Sequence, residues 1–358
     1  MSLHQDILTI LKIVSQMEIT DQERSVFIEL MHKESILNKQ HILLAEINNH
    51  RLQYLFFKHL KESHCLFDTL SKKNIITLSE QFAFLQTKHR EYLESIKPVI
   101  CELNDSNIPY VLIKGFHLLD IIYQKKNEYY RTYGDCDLLV AKKDVKKISA
   151  ILESNGYIQG EINDNYKITK SSRENIIFWS LSSHQEHKFI KESINFSFSP
   201  RLVLCIDVNT TIFEGGKYEP PITTDNLLNL YAQIYNNSFI NYYILTPTLE
   251  LVQLCYHFYK DTQYESKKQK KDDFSLIKFC DIREFIKTNL DSINWEEFFE
   301  IIESFEIIEQ IMYVLNLVFD FYQDECIKNI IEKHQYNYKK TNTDYSRLLI
   351  NFCEEYNG

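Results

Sequence analysis

The stretch Arg131–Val140, which reads RTYGDCDLLV, places Asp135 and Asp137 one residue apart at the start of an apolar run. The run predicts a buried strand, and residues two apart along a strand point to the same face, so both carboxylates would crowd together there. Such a pair repels itself unless a positive charge lies between the two groups, and a divalent cation is the common solution. The stretch therefore predicts a strand with a cation site at its beginning.

The composition is that of a soluble globular protein. The chain has 358 residues, enough for two or three packed units, and 44% of them are hydrophobic and 25% charged. Only 7 glycines and 6 prolines occur. So few helix-breaking residues indicate long helices with few tight turns.

The charge balance limits the partners that the chain can have. Lys and Arg number 40 against 50 Asp and Glu, a net charge of −10, which argues against generic binding to nucleic acids or to anionic membranes. The sequence has no apolar run of membrane-spanning length, no signal-peptide pattern, and no C-x-x-C pair among its eight cysteines. We therefore expect a reduced, cytoplasmic protein without a membrane partner.

Three regions of the chain differ in their patterns. Residues 1–105 show helical periodicity almost throughout, residues 106–215 alternate strand and helix patterns, and residues 216–358 are again helical nearly to the end. We expect an α+β protein, with a small mixed-sheet core of roughly four or five strands flanked by N-terminal and C-terminal helical regions.

A third carboxylate and a lysine–glycine turn complete a candidate site in the core. Asp207 lies midway along a second apolar strand, RLVLCIDVNTTIF. If that strand lies beside the first, three carboxylates converge, and such oxygen donors suit Mg²⁺. Two such ions held a few ångström apart can activate an attacking oxygen and stabilise the leaving one. Lys114 and Gly115 join a short strand to a helix. Gly115 lets the backbone approach a ligand at the start of the helix, and Lys114 supplies a positive charge for a triphosphate.

The motifs of this core give it a family resemblance. They are LIKG at Leu112–Gly115, Arg131 shortly before GDCDLLV at Gly134–Val140, and LESNGY at Leu152–Tyr157. Over about residues 106–290 the chain resembles the uncharacterised nucleotidyltransferase family of bacteria, a branch of the DNA polymerase β-like nucleotidyltransferase superfamily. The fold expected from this resemblance is a nucleotidyltransferase core.

Later positions of that family also have counterparts here. The family carries an aspartate in a strand, then a helical histidine and a further aspartate, and this sequence has Asp207, His257 and Asp281 there. After the strand aspartate the family commonly has leucine, histidine and tryptophan, whereas this chain has valine, Asn209 and threonine. This departure concerns the part of the site that would bind the acceptor.

The resemblance implies a reaction and a set of site residues. Asp135 and Asp137 would hold Mg²⁺ or Mn²⁺ together with a nucleoside triphosphate, and Asp207 would complete the ion site beside the acceptor hydroxyl and take its proton. The residues that would contact phosphates are Lys114, Gly115 and Arg131. The enzyme would move a nucleoside monophosphate onto a small-molecule, peptide or protein acceptor and release pyrophosphate.

Two other functions are open from the residues alone. Nucleotide-sugar glycosyltransferases also use D-x-D to hold Mn²⁺ and a diphosphate, but about a hundred helical residues precede this core, and Asp207 has no role in such an enzyme. A catalytically silent nucleotide-binding partner protein is the second alternative. The loss of an aspartate would favour it, and all three aspartates are present.

The remaining polar side chains are expected to be structural. His257 lies on an apolar helical stretch, which is typical of a core histidine. Lys278 and Asp281 have the spacing of a pair on a helix surface. His184 and His187 lack further ligands at metal spacing and are expected to be loop residues.

Overall fold

The computed structural model of the chain describes residues 2–163, 167–193, 202–213, 222–265, 268 and 274–333. The first region is helical, as predicted. Its helices are α1 (Leu3–Val14), α2 (Asp21–Met31), α3 (Glu34–Asn38), α4 (Gln40–Asn49), α5 (Gln53–Glu62), α6 (Leu66–Thr69) and α7 (Lys72–Asp105).

Eight of the described strands form one mixed sheet. The strands in chain order are β1 (Tyr110–Ile113), β2 (Gln124–Lys125), β3 (Glu128–Tyr129), β4 (Cys136–Val140), β5 (Ile158–Ile162), β6 (Ile168–Lys170), β7 (Phe189–Glu192), β8 (Val203–Asn209), β9 (Ala232–Asn236) and β10 (Asn241–Leu245). The order across the sheet is β6-β5-β7-β8-β4-β1-β10-β9, and β2 and β3 form a separate two-stranded ribbon. The pairs β4–β8 and β1–β10 are parallel and the others antiparallel.

Further helices lie between the strands and after them. They are α8 (Gly115–Ile121), α9 (Val145–Ser154), α10 (Arg173–Ser182), α11 (Thr224–Tyr231), α12 (Pro247–Gln263), α13 (Leu276–Asn289), α14 (Trp295–Ser304), α15 (Ile308–Tyr322) and α16 (Glu325–Lys333). The predicted α+β class with helical flanks is confirmed. None of the described helices combines the length and the apolar character that crossing a bilayer requires.

The sheet is larger than predicted, and the predicted run of helices after residue 216 is wrong over 232–245. Strands β9 and β10 form a hairpin there, and β10 pairs in parallel with the central strand β1. In β10 the first residue, Asn241, is exposed, whereas Tyr242, Ile244 and Leu245 are buried. Strand β9 begins directly after Tyr231 ends α11, so the sequence pattern predicts a continued helix there.

The two central strands have no solvent-facing side. All residues of β1 and β4 are buried, so side chains pack on both faces of the sheet. Tyr92 of α7 reaches into this region, where its hydroxyl donates to the carbonyl of Gly134 at 3.1 Å and accepts from the amide of Cys205 at 2.9 Å. One side chain from the N-terminal region thus ties the segment before β4 to strand β8.

We expect the central strand to dominate stability. Leu112→Ala in β1, where the side chain is 0% exposed, should lower the free energy of unfolding by about 2–5 kcal/mol, because it removes buried methyl groups and leaves a cavity. Leu230→Ala in α11, where the side chain is 67% exposed, is the matched control and should change it by less than about 0.5 kcal/mol. Urea denaturation of the three proteins measures both values. Equal losses for the two variants would contradict the assigned position of β1.

Candidate active site

Three carboxylates line one cavity, as the sequence predicted. Strands β4 and β8 are paired in parallel with Asp137 directly opposite Asp207, and Asp135 immediately precedes β4. All three residues line a cavity of about 450 Å³. Asp137 is buried, whereas Asp135 and Asp207 are partly accessible from the cavity. Their placement together is confirmed, and their metal-binding and catalytic roles stay predictions.

Lys114 lies directly beside the carboxylates. It occupies the turn between β1 and α8 with a positive φ of 62°, and its Nζ donates to Oδ1 of Asp137 at 2.6 Å. Asn209 Nδ2 donates to the same oxygen at 3.1 Å, and Gln185 in turn donates to Asn209 at 2.8 Å. Asn209, at the position where the family resemblance implies a histidine, therefore contacts the carboxylate site itself. A single oxygen of Asp137 already has two donors.

Burial and mutual repulsion shift the ionisation of the site. Burial, followed by the charges of Asp137 and Asp207, raises the pKa of Asp135 to about 7. Burial and Asp137 also raise the pKa of Asp207, against the opposing effect of Lys114. Burial alone would lower the pKa of Lys114, but the three neighbouring carboxylates outweigh it and the pKa is raised. The site therefore holds more negative charge than Lys114 balances, and a further cation would relieve it.

Sequence reasoning missed two features of the site, one beside the cavity and one in its lining. Lys88 of α7 donates to the carbonyl of Tyr133 at 2.6 Å, and burial lowers its pKa to about 8 against the opposing charge of Asp135. His184 lies in a loop, as predicted, but it also lines the cavity, and burial lowers its pKa to about 3 with help from Lys260 and Lys114. Lys88 lies in a helix that carries no recognisable motif, so only the fold brings it to the site.

Arg131 and Asp281 form a buried ion pair across 150 positions of the chain. Nε and Nη2 of Arg131 donate to the two carboxylate oxygens of Asp281, both at 2.7 Å, and the Tyr123 hydroxyl donates to one of them at 2.7 Å. A Cβ atom on Gly115 would lie 2.5 Å from Arg131 Nη1, so glycine is needed for this approach. The arginine lines the cavity but is already paired, and its contact with phosphate stays a prediction.

The predicted surface pair of Lys278 and Asp281 is wrong. Helix α13 turns this face inward, where Asp281 binds Arg131 and Lys278 forms an ion pair with Asp261 of α12. The prediction of a core histidine at position 257 is also wrong, because the half-buried His257 lines the cavity. The spacing along one helix could not show that α12 and α13 together form a cavity wall. His187, by contrast, is buried and lies outside the cavity lining, where Ser171 contacts it at 3.0 Å.

The site fits a divalent cation in its chemistry. Three carboxylates supply the oxygen ligands that Mg²⁺ and Mn²⁺ prefer, and their repulsion favours a bound cation. Among the described residues, no three His, Cys, Asp or Glu side chains form a group close enough to hold a metal ion as they stand. The carboxylates would have to converge on the ion, and Asp137 would have to exchange its contact with Lys114 for it.

Two carboxylates on paired parallel strands, with a third just before one strand and a lysine–glycine turn beside them, are the arrangement expected of a nucleotidyltransferase. Residues 38–323 match the family model described as "Uncharacterised nucleotidyltransferase", and the chain belongs to this family. A comparison with curated protein sequences finds no match. The family match extends into both helical regions and supports nucleotidyl transfer in general terms. It gives no support to the glycosyltransferase alternative.

The raised pKa of Asp135 predicts a loss of stability as the pH rises. This carboxyl keeps its proton to about pH 7 in the folded protein and loses it near pH 4 in the unfolded chain. The folded state therefore binds more protons between these values, and the free energy of unfolding falls across that window. In Asp135→Asn the fall should be smaller, by on the order of 2 kcal/mol.

Urea denaturation at pH 4.5 and 7.5, with a chelator present, measures the difference. Asp291→Asn, at an exposed position after α13, is the matched control and should keep the wild-type pH dependence. An unchanged pH dependence in Asp135→Asn would show that this carboxyl is not held protonated by its surroundings.

Proposed function

We propose that the chain is a metal-dependent nucleotidyltransferase that moves a nucleoside monophosphate from a nucleoside triphosphate to a small-molecule, peptide or protein acceptor and releases pyrophosphate. The observation that carries this proposal is the pairing of Asp137 with Asp207 on parallel strands, with Asp135 and Lys114 in the same cavity. Membership of the nucleotidyltransferase family supports the class of reaction. The resemblance to the DNA polymerase β-like superfamily supports the metal dependence.

The three carboxylates would hold Mg²⁺ or Mn²⁺, which would supply positive charge to the triphosphate and to the attacking oxygen. Lys114 is placed to exchange partners when nucleotide binds. Its ammonium group now neutralises Asp137 at 2.6 Å, and it can turn to a phosphate oxygen once another cation neutralises that carboxylate.

Asp207 is the residue that we assign to the acceptor. Its carboxyl is partly accessible from the cavity, where an acceptor hydroxyl can approach it. A hydroxyl placed beside it can pass its proton to Oδ as the oxygen attacks the phosphorus. Asp207 therefore acts as general base in the proposed reaction.

We also propose that the protein acts in the cytoplasm. All the described cysteines are free, as expected of a reducing compartment. The acceptor would be a small molecule, a peptide or a protein that is available there.

The substitution Asp207→Asn should separate binding from turnover. It keeps the shape of the side chain and removes the proton acceptor, so nucleotide affinity should stay within about threefold of wild type, whereas turnover should fall about 100-fold or more. Asp137→Asn should weaken both, because Asp137 is assigned to the cation that carries the triphosphate. Calorimetry measures affinity, and pyrophosphate release or self-labelling measures turnover for each of the four nucleoside triphosphates.

The control for this pair is Asp291→Asn, which should match wild type in both assays. If Asp207→Asn turned over as fast as wild type, the catalytic role assigned to the three carboxylates would be refuted. If the protein instead consumed a nucleotide sugar and released no pyrophosphate from any nucleoside triphosphate, the result would favour the glycosyltransferase alternative.

Metal and nucleotide should bind cooperatively. Three carboxylates in one cavity repel one another, and a triphosphate supplies ligands that complete the coordination of the ion. Calorimetric titration with Mn²⁺ should therefore give an affinity at least about tenfold higher with a non-hydrolysable triphosphate than without it. Equal metal affinities in the two titrations would contradict the proposed shared site.

A further inference from the structure

The cavity that holds the three carboxylates has a second charged side. Helices α12 and α13 form this side together with the turn between α4 and α5. The charged residues that the described part of the chain contributes to it are Arg51, Arg131, Lys260, Asp261, Lys278 and Asp281. Four of them are cations and two are carboxylates. We call these six residues the cation wall.

Each carboxylate of the cation wall has a cation as its partner within the wall. Asp281 accepts hydrogen bonds from two nitrogens of Arg131, both at 2.7 Å, and Asp261 forms an ion pair with Lys278. The other two members of the wall are both cations. The wall as a whole therefore presents a net positive charge to the cavity.

A buried histidine fixes the position of Arg51 in the cation wall. The amide of Leu276, the first residue of α13, donates to Nδ1 of His50 at 3.3 Å, and the hydroxyl of Ser275 donates to the carbonyl of His50 at 3.5 Å. The turn that carries Arg51 is thus held against the beginning of the helix that carries Lys278. Since this turn belongs to the N-terminal helices, the wall depends on contact between the two helical regions.

The cations of the wall repel one another. Burial, followed by the positive charge of Arg51, lowers the pKa of Lys278 to about 7, and Lys260 and Arg131 act in the same direction against the opposing charge of Asp281. A bound anion would relieve this repulsion, as a bound cation would relieve the repulsion among the three carboxylates. A triphosphate with its metal ion supplies both charges in one ligand.

We propose that the cation wall binds the two outer phosphates of the nucleoside triphosphate, and that Arg51 and Lys260 select the triphosphate over nucleotides with fewer phosphates. This inference rests on the proposed function, since it assigns the place of the leaving pyrophosphate in that reaction. The phosphate that is attacked lies with the metal ion at the carboxylates, so the outer two extend into another part of the cavity. A guanidinium can bind phosphate through two parallel hydrogen bonds, and a lysine adds a point charge.

The wall would act on the leaving group during the transfer. The acceptor oxygen forms a bond to the innermost phosphorus and passes its proton to Asp207, while the bond from that phosphorus to the bridging oxygen breaks. The pyrophosphate leaves with the electron pair of the broken bond, so negative charge develops on its oxygen. Fixed cations beside the pyrophosphate would stabilise this charge as it forms.

The test compares ligands that differ in their number of phosphates. The probes are the α,β-methylene triphosphates of the four nucleosides, the matching monophosphates, and inorganic pyrophosphate, each with Mg²⁺. Arg51→Gln and Lys260→Gln should each weaken triphosphate binding about tenfold, and together about 100-fold, on the scale of lost charge-assisted hydrogen bonds. Pyrophosphate should lose affinity in the same way. Monophosphate affinity should stay within about threefold of wild type. Calorimetry on the full chain measures these affinities.

Two control variants accompany these substitutions. Lys287→Gln removes the same charge from an exposed position near the end of α13, and it should bind every probe as wild type does. Lys260→Arg keeps the charge of the wall, so its triphosphate affinity should stay within about threefold of wild type. Because Arg51 is exposed and Lys260 only half-buried, the double variant should fold, and urea denaturation checks this.

Three results would overturn the proposal. The first is an equal triphosphate affinity in wild type and in the folded double variant. The second is a loss of the same size for the monophosphate, because the wall would then not act on the outer phosphates. The third is a loss of the same size in Lys287→Gln, because the effect would then be a general attraction of anions rather than contact with the wall.

The outcomes also distinguish this inference from the proposed function. If wild type releases pyrophosphate from a nucleoside triphosphate and the double variant keeps its triphosphate affinity, the inference fails and nucleotidyl transfer stands. If inorganic pyrophosphate binds to wild type and is lost from the double variant, but no nucleoside triphosphate turns over with Mg²⁺ or Mn²⁺, the transferase proposal fails. The cation wall would then stand as a pyrophosphate site.

Discussion

The parallel pairing of β4 with β8 places Asp137 opposite Asp207, and this enforced closeness of like charges governs the whole site. Burial and this repulsion raise the pKa values of Asp135 and Asp207, and Lys114 pairs with the carboxylate of Asp137. Backbone hydrogen bonds of the sheet hold the strands together against this repulsion. Such an excess of negative charge favours a bound cation, as the proposed function requires.

The N-terminal and C-terminal helices contribute directly to this arrangement. Tyr92 and Lys88 of α7 fix the segment just before β4, while Asp281 of α13 holds Arg131 against Gly115. The buried pair would be costly to break, because either partner alone would be an uncompensated charge in the interior. The helical regions thus set the shape of the cavity, in agreement with a family match that covers residues 38–323.

Local patterns predicted the parts of the molecule that depend on neighbouring residues. The alternation around Asp135 and Asp137, the strand with Asp207 and the turn at Lys114 all came from short stretches of sequence. The partner of Arg131 lies 150 positions away along the chain. The spacing of Lys278 and Asp281 predicts that they pair with each other, whereas Lys278 pairs with Asp261 and Asp281 pairs with Arg131. Such contacts depend on how α12 and α13 pack against the sheet, which no single stretch encodes. Local patterns do not predict the hairpin β9–β10, because β9 begins directly where α11 ends.

The place of β10 in the sheet has a consequence for how the protein can be divided. A fragment ending near residue 215 would contain the three aspartates but lack the strand that pairs with β1. Its central strand would become a bare edge, with the backbone groups of four buried residues open to any other chain. Such an excised core would be prone to pair with itself and precipitate. The candidate active site is therefore not a module that can be excised alone, and recombination with other helical regions would have to include the hairpin.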